Sequence, residues 1–493
     1  MQYILEVIYE VIKNHEPYLA GGAVRDLLLK RPIKDMDITV RSNAMQLARE
    51  ISARLNAAFV PLDVETDTAR VVVSRELVAD LSSFRDGAAS IIEDLNARDF
   101  TINAMATPFE NAMALICSSS VGNLESLNET MKADTPNLLI DPLNGLHDLN
   151  QGIIRAIDRK NLFSDPLRCI RAYRFTAQLG IVIEPQTRNW IHEAMHHLDN
   201  VACERIQREM SLILGVPDAH STIHQMADDG ILFHILPELE AGKGMEQPGF
   251  HHLDVLSHSL ETLKCLESVI QDPTHKFSPS EPITAWLDTN PSLIEALKWA
   301  ALLHDVAKPV CRSEKNGRTT FYQHDSHGNS MIKGIAARLR WPRHTTLMAS
   351  TLAALHMRPF HLLTDMERRK THPTKRAMRR LLNHMKQDYP ALFLLAMADS
   401  MAGCGPLKPA DLDERLSRLW CIVHHFYVKE LHPLQTRKRL LTGKDIQEIL
   451  RISPGPEIGK ALNELEIAEL EGRITTREQA SNWLKDWYVS HAE

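Results

Sequence analysis

Residues 18–40, YLAGGAVRDLLLKRPIKDMDITV, decide the fold of the N-terminal part of the chain. A short apolar run reaches Gly21-Gly22, a helical pattern follows over Ala23–Leu29, and a second strand pattern covers Asp35–Val40. Short apolar runs bounded by turn residues predict strands, and the 3.6-residue period between them predicts a helix. The stretch therefore predicts strand, glycine turn, helix and strand, which is the beginning of a small α/β domain.

Acidic side chains on the predicted strands are candidates for binding a metal ion. Asp35 and Asp37 project from the same face of a strand, so both carboxylates can hold Mg²⁺. By itself this pair is more typical of a solvated strand end. The preceding Gly21-Gly22 turn changes the interpretation, because it opens a helix N-terminus whose backbone N–H groups favour a bound phosphate. Asp80, in a later predicted strand, is a third candidate, as a metal ligand or as the base for an attacking 3′-hydroxyl.

Three motifs of this region together resemble the signature of class II tRNA nucleotidyltransferases and bacterial poly(A) polymerases: LAGGAVRD at 19–26, KDMD at 34–37 and RDFTINA at 98–104. The resemblance implies a Mg²⁺ site made by Asp35 and Asp37. It also implies a nucleotide site made by Gly21, Gly22, Arg25, Arg98 and Asp99. These residue types agree with the chemistry, since phosphoryl transfer consists mainly of positioning and of neutralising charge.

A further motif, SDPLRCIRAYRF at 164–175, opens a predicted helix whose first turn suits Pro166 and whose cap suits Asp165. Asp165 and Arg168 lie one turn apart and share a face, and Arg171 and Arg174 step around it. A carboxylate accepts from the exocyclic amine of C or A while a guanidinium donates to the neighbouring ring atom, a pattern that U and G do not match. Helix capping with ordinary ion pairs is the alternative. The segment resembles the family's Glu-Asp-x-x-Arg base-reading motif, with Ser164 in place of Glu.

Histidines concentrate in the middle of the chain, where His304-Asp305 follows an apolar helix pattern. The dipeptide belongs to a series that resembles the ligand set of HD phosphohydrolases: His258, His304, Asp305, His324, His356 and Asp399. The resemblance implies a site for Mn²⁺, Ni²⁺, Co²⁺ or Mg²⁺ that activates water against a phosphoester. Histidines buried in a helical core are the alternative, and only the family spacing favours His324 over His327.

Bulk properties limit the class of protein. The 493 residues suggest several domains, and the seven cysteines contain no CxxC pair, which predicts reduced thiols in the cytoplasm. No apolar run approaches the roughly 20 residues of a membrane span, and no protein partner is inferred. The net charge of −7 is unusual for a nucleic-acid enzyme, but a local basic face can coexist with an acidic remainder.

The predicted fold is a multidomain α+β protein, with a small polymerase-β-like mixed sheet followed by all-α segments. We expect a nucleotidyltransferase head at 1–145, a helical neck at 146–240, an HD domain at 241–410 and a helical tail at 411–493. Further strands are predicted at 69–74 and 76–84, an irregular surface excursion at 111–139, and helices at 99–106, 166–179, 204–214, 256–269, 292–304 and 376–385.

The expected function is template-independent addition of C, A or both from CTP and ATP to the tRNA 3′ end, with a second hydrolase activity in the HD domain. Two alternatives remain: a bacterial poly(A) polymerase, and a metal-dependent phosphohydrolase whose head is vestigial. Basic runs at 368–370, 375–380 and 437–439 are candidates for contacting the tRNA backbone, although each run taken alone is more typical of a solvated helix face.

Overall fold

The computed structural model describes residues 1–74, 77–119, 138–247, 249–315 and 318–491. They form two compact units. The first comprises Met1–Ile213 and Met226–Ile235, and the second comprises Leu214–Gln225 and Leu236–Glu493. Most of the predicted surface excursion, residues 120–137, lies outside the described residues.

The first unit is built on a six-stranded mixed sheet in the order β3-β4-β5-β2-β1-β6. Its strands are β1 Tyr18–Ala20, β2 Asp35–Val40, β3 Ala58–Asp63, β4 Thr68–Val72, β5 Val78–Ser83 and β6 Ala106–Pro108. β2 and β5 are parallel and the other neighbours are antiparallel. The register places Asp37 beside Asp80, and Asp80 beside Arg70. The predicted mixed sheet of the head is confirmed.

Helices cover the sheet and continue beyond it. Up to residue 235 they are α1 Gln2–Ile12, α2 Gly22–Leu28, α3 Ala44–Leu55, α4 Ile91–Asn96, α5 Phe109–Ser119, α6 Gly145–Gln151, α7 Arg159–Ser164, α8 Leu167–Leu179, α9 Pro185–Ala194, α10 Cys203–Leu214, α11 His220–Asp228 and α12 Ile231–Ile235. Leu5, Ile8 and Ile12 of α1 are fully buried, because positions i, i+3 and i+7 form one helix face. A short parallel pair, β7 Ile153–Ile154 and β8 Val182–Ile183, lies among these helices.

The predicted helix over 99–106 is wrong. Residues 101–103 form a single 3₁₀ turn and the chain then enters β6. Local hydrogen bonds explain the difference: Asp99 Oδ1 accepts from the Phe100 N–H, and the Thr101 N–H donates to the Arg155 carbonyl instead of continuing a helix. α3, β3, α4 and the described part of α5 were not predicted.

In its described residues the second unit is helical apart from one antiparallel pair of short strands, β9 Ser313–Lys315 and β10 Arg318–Thr320. Its helices are α13 Pro237–Glu240, α14 Val255–Gln271, α15 Glu281–Thr289, α16 Pro291–Leu303, α17 Lys308–Cys311, α18 His324–Arg338, α19 Arg343–Leu355, α20 Arg358–Arg369, α21 Lys375–Met385, α22 Tyr389–Ala402, α23 Leu412–Phe426, α24 His432–Thr436, α25 Gly443–Leu450, α26 Pro456–Leu470 and α27 Arg477–His491, with a π-helical stretch over Tyr427–Leu431.

α22 is the centre of this unit. Residues 389–400 are buried without a break, as expected for a helix that is apolar on every side, and α14, α16, α20, α21 and α23 pack around it. The five helices predicted between 166 and 385 are confirmed, with ends within two residues of those expected. No described helix combines the length and apolar character needed to cross a membrane.

Candidate functional site

The Gly21-Gly22 turn lies against charged side chains of the first unit. Gly21 has φ +70°, and a Cβ at this position would collide with Arg98 Nη1. A Cβ at Gly22 would come within 3.3 Å of Asp37 Oδ2. Glycine is therefore required both for the backbone conformation and for the close approach. The N-terminus of α2 is brought next to one carboxylate and one guanidinium, as the sequence predicted.

Three carboxylates lie on the neighbouring strands β2 and β5, and Asp37 is the one next to the glycine turn. Asp35 and Asp37 share a face of β2, and Asp80 is the register partner of Asp37 on β5. Burial raises the pKa of Asp37, and the charges of Asp80 and Asp35 raise it further against the opposing effect of Arg98. A bound cation would relieve this repulsion, and oxygen donors of this kind suit Mg²⁺. The donor set therefore fits the implied metal.

Asp80 differs from the other two carboxylates because it already has a cationic partner. Arg70 on β4 donates to both of its oxygens, each at 2.8 Å. Among the described residues, the three carboxylates are not gathered within 4.8 Å of one another. Arg70 was not among the predicted site residues, because only its position opposite Asp80 on the neighbouring strand indicates a role.

Two buried arginines line the same turn. Arg25 donates to Asn103 Oδ1 at 2.6 Å and to its neighbour Asp26 at 2.8 and 3.0 Å. Arg98 donates to Thr39 Oγ1 at 3.0 Å and to the fully buried Asp94 at 3.1 Å. These hydrogen bonds fix the orientations of the two guanidiniums. The spacing of the motifs alone does not show which side chains make them.

Arg171 and Asp99 connect α8 to the head motif. Asp99 Oδ2 accepts from Arg171 Nε at 2.9 Å and from Nη2 at 2.6 Å. Although burial raises the pKa of Asp99, the charge of Arg171 and a hydrogen bond from Asn103 hold that pKa well below its ordinary value. Asp99 is consequently ionised near pH 7. Arg168, one turn earlier on α8, donates to the Arg98 carbonyl at 3.1 Å.

Positive charge is concentrated around these groups. Burial and the neighbouring Arg171 lower the pKa of Arg174 to about 10. Arg98 and burial likewise lower the pKa of Arg85 to about 10. Glu209 on α10 partly compensates, with its carboxylate 3.1 Å from Arg174 Nε. A site in which guanidiniums repel one another is suited to a polyanion.

Asp165 does not cap α8, contrary to the expectation. The helix begins after Pro166 without a side-chain cap, and Asp165 Oδ2 instead accepts from Arg205 Nη2 on α10 at 2.9 Å. Ser164 donates to the Asn161 carbonyl at 3.1 Å. The carboxylate of Asp165 therefore pairs with Arg205 through one of its two oxygens instead of capping the helix.

The second unit contains a separate cluster centred on Asp305, where α16 ends. Asp305 Oδ2 lies 3.1 Å from His304 Nε2 and 3.8 Å from His258 Nε2. Asp305 Oδ1 lies 3.4 Å from His324 Nε2 and 3.7 Å from His356 Nε2. Asp305 therefore belongs to two metal-ligand triads, with His258 and His304 on one side and His324 and His356 on the other.

The remaining predicted ligands agree with this arrangement. Asp399 of α22 accepts from His258 Nε2 at 3.0 Å and lies 3.8 Å from His304 Nε2. His324 points into the cluster, whereas His327 is exposed and bonds to the Gln323 carbonyl. The structure thus brings together all six side chains that the sequence predicted for this site.

The histidines are oriented as metal ligands. His304, His324 and His356 each place Nδ1 2.7–2.9 Å from the carbonyl three residues earlier, which leaves Nε2 facing Asp305. His304 Nε2 and Asp305 Oδ1 are buried without a hydrogen-bond partner among the described residues. Burial and His304 lower the pKa of His356 to about 4, so its imidazole is neutral near pH 7. These donors fit a divalent metal.

Lys308 is a further member of this cluster that the sequence analysis missed. It is buried, and its Nζ lies 2.6 Å from Asp305 Oδ2. Burial raises the pKa of Asp305, but His304 and Lys308 hold that pKa well below its ordinary value. The position of Lys308, four residues after His304 near a helix start, was the available signal.

Known proteins match this chain along nearly its whole length. Residues 17–155 match the family model "Poly A polymerase head domain", 180–243 match "Probable RNA and SrmB- binding site of polymerase A", and 255–403 match "HD domain". The A-adding tRNA nucleotidyltransferase of Deinococcus radiodurans is 31% identical over 477 residues, which cover 95% of each chain. The CC-adding tRNA nucleotidyltransferase of Synechocystis is 29% identical over 465 residues, covering 94% of this chain and 91% of the relative.

Solved structures share the fold. A CCA-adding enzyme in complex with ATP has a TM-score of 0.62 at 20% identity and covers 100% of this chain and 96% of its own. The CCA-adding enzyme of Thermotoga maritima in complex with tRNA has a TM-score of 0.57 at 21% identity and covers 98% and 94%. The fold expected from the sequence is therefore confirmed.

Proposed function

This chain belongs to the class II tRNA nucleotidyltransferases, and we propose that it adds C, A or both from CTP and ATP to the 3′ end of tRNA without a template. The observation that carries the proposal is the position of Asp37, which lies between the Gly21-Gly22 turn, Asp80 and the Arg98 guanidinium. One surface thus offers a phosphate-binding turn, carboxylates for a metal and compensating cations.

The chain's own residues position the reactants in this proposal. Asp35 and Asp37 would hold Mg²⁺, which when bound supplies neutralisation of charge on the transferred phosphoryl group. The Gly21-Gly22 turn, Arg25 and Arg98 bind the triphosphate. Asp99 would accept from the ribose hydroxyl in exchange for one of the four internal donors that it binds in this structure. Asp165 and Arg168 read the base, with Arg171 and Arg174 fixing α8 in place. Asp80 is assigned to proton transfer from the attacking hydroxyl or to support of the metal.

We assign this reaction to residues 1–145 and 146–240, with 241–410 as the HD domain and 411–493 as the tail.

The test is single-nucleotide extension of three tRNA transcripts, ending before the first C, after CC and after CCA, with CTP and ATP supplied separately in the presence of Mg²⁺. Complete synthesis identifies a CCA-adding enzyme, and extension by C alone or A alone identifies a split-function member. Asp35→Ala must abolish incorporation; retained activity contradicts the metal assignment.

Poly(A) polymerase is the second candidate, favoured by the match of residues 17–155 to a poly(A) polymerase head. The two activities differ in substrate, because a poly(A) polymerase extends unstructured RNA with long A tails. Incubation of an unstructured oligonucleotide with ATP therefore discriminates them, and we expect tRNA alone to be extended.

For the second unit we propose metal-dependent hydrolysis of 2′,3′-cyclic phosphates or phosphomonoesters. The supporting observation is that Asp305 belongs to two buried ligand triads, one with His258 and His304 and the other with His324 and His356. His258, His304, Asp305, His324, His356 and Asp399 would hold the Mn²⁺, Ni²⁺, Co²⁺ or Mg²⁺, which when bound supplies an activated water. Lys308 is placed to hold a phosphate oxygen. Unchanged hydrolysis after His304→Ala combined with Asp305→Ala would refute the proposal.

A further inference from the structure

Three charged side chains lie in one row across the six-stranded sheet. The register pairs Arg70 of β4 with Asp80 of β5, and Asp80 with Asp37 of β2. Paired residues on neighbouring strands project from the same face, and such strands lie about 4.8 Å apart. Asp80 therefore has a cation on one side and another carboxylate on the other.

The guanidinium of Arg70 engages both oxygens of Asp80. Nε donates to Oδ1 and Nη2 donates to Oδ2, each at 2.8 Å. Such bidentate, charge-assisted pairs fix the geometry of both side chains and are stronger than neutral hydrogen bonds. These hydrogen bonds, together with the charges of Asp80, Asp35 and Asp37, raise the pKa of Arg70 despite its partial burial, so the guanidinium is charged near pH 7.

The other two carboxylates of this region have no such partner. Neither Asp35 nor Asp37 forms an ion pair with a described residue. Burial and the charge of Asp80 raise the pKa of Asp37 against the effect of Arg98. A cation can therefore bind to Asp35 and Asp37 without breaking an internal pair, whereas at Asp80 it meets a carboxylate whose two oxygens are already engaged by Arg70.

We propose that Arg70 is an internal counter-ion of Asp80, and that a divalent cation recruits Asp80 only by displacing the Arg70 guanidinium. Arg70 is then a positioning residue. It contacts no reacting atom, but it sets the metal concentration at which the third carboxylate joins Asp35 and Asp37. The inference rests on the proposed function, because the cation concerned is the Mg²⁺ of nucleotide addition. An ion pair that serves only to hold β4 to β5 is the alternative, and it would leave the metal affinity unchanged.

The first experiment measures the binding of Mn²⁺ to the full chain by electron paramagnetic resonance of the free ion. Every protein carries Asp305→Asn, which removes the carboxylate shared by both ligand triads of the second unit. We expect Arg70→Gln to bind Mn²⁺ about threefold to tenfold more tightly than this parent. Arg41→Gln, which removes an exposed cation of the same unit from its pair with Glu16, should match the parent. Unchanged or weaker binding by the Arg70 variant overturns the proposal.

The second experiment separates displacement from a general loss of positive charge. In chains that carry Asp80→Asn, Arg70 has no carboxylate to release, so we expect Arg70→Gln to leave the Mn²⁺ affinity unchanged within about twofold. A gain equal to that seen with Asp80 present would show a long-range charge effect and overturn the proposal. Urea unfolding without metal accompanies both titrations. A loss of stability in Arg70→Gln with no change in Mn²⁺ affinity identifies a structural ion pair, which also overturns it.

The third measurement is the Mg²⁺ concentration that gives half-maximal nucleotide incorporation, with Asp305 intact. We expect this concentration to fall in Arg70→Gln by the same factor as the Kd for Mn²⁺, and an unchanged Mg²⁺ requirement overturns the proposal. The proposed function fails by a different result, which is the absence of tRNA extension by the wild type at any Mg²⁺ concentration. The Mn²⁺ affinities decide the role of Arg70 in either case.

Discussion

Arg171 donates both Nε and Nη2 to a single oxygen of Asp99, at 2.9 and 2.6 Å, and so connects α8 to the Arg98-Asp99 pair of the head motif. The second Asp99 oxygen is taken by Asn103 and by the Phe100 N–H. The same carboxylate therefore holds both ends of the proposed nucleotide site in place. Because these side chains are already ordered, less conformational entropy is lost when a nucleotide binds.

Asp99→Asn removes the charge that compensates Arg171. We expect a loss of about 1–3 kcal/mol in the free energy of unfolding, less than for a fully buried pair because Arg171 is partly exposed. The folded-state pKa of Asp99 is depressed, so its contribution is present above the unfolded value of about 4 and is lost as pH falls further. Urea unfolding of both proteins at pH 7, 5 and 3.5 measures this. A difference that already shrinks between pH 7 and 5 would contradict the assignment.

Asp80→Ala separates a catalytic role from a structural one. If Asp80 takes part in proton transfer or metal support, kcat falls about 10²-fold or more. Arg70→Gln serves as the control, since it breaks the same ion pair while leaving the carboxylate. We expect a much smaller fall in kcat for the Arg70 variant. Equal falls in the two variants would show that only the ion pair matters.

Gly21→Ala tests the phosphate turn. Gly21 and Gly87 have nearly the same φ, +70° and +71°, but only Gly21 has neighbours that a Cβ would meet. Both substitutions carry a backbone cost of about 1 kcal/mol. We expect Gly21→Ala also to abolish nucleotide incorporation, because Arg98 must move. Gly87→Ala should retain incorporation, as measured with the tRNA extension assay.

Arg205→Ala tests the support of Asp165. Their ion pair is half-exposed, so we expect only a two- to fivefold rise in KM for the nucleotide, corresponding to about 0.4–1 kcal/mol. kcat should change less than KM, and discrimination between CTP and ATP should weaken. Arg188→Ala breaks a comparable pair with Asp229 in the same unit and is the control. An equal effect of both substitutions would assign Arg205 to general stability.

His324→Ala tests the second metal site by a measurement other than activity. Mn²⁺ at about 100 times its Kd should stabilise the wild type by about 2.7 kcal/mol and raise its melting temperature, an effect that EDTA reverses. We expect His324→Ala to lose most of this shift. His327→Ala, three residues later on the same helix but exposed, should retain it. Equal shifts in both variants would remove His324 from the ligand set.

Sequence patterns predicted the elements whose signals are local. The glycine turn, the Asp-x-Asp strand and the long amphipathic helices depend on nearby residues, and they were placed correctly. The 3₁₀ turn at 101–103 was missed because the Thr101 N–H donates to the Arg155 carbonyl, far along the chain. Arg70 and Arg205 were missed as site residues for the same reason, since only the tertiary fold brings each to its carboxylate. Lys308 was missed although its partner Asp305 lies only three residues earlier.

The parallel pairing of β2 with β5 also sets the kinds of length change that this chain can tolerate. Side chains alternate between faces along a strand, so one residue inserted within β5 ahead of Asp80 would turn its carboxylate to the opposite face of the sheet. Two inserted residues would restore the face but shift the carboxylate along the strand, away from Asp37. Families built on this sheet should therefore diverge by lengthening connections between strands, and attempts to graft this active site onto another protein must transfer both strands in register.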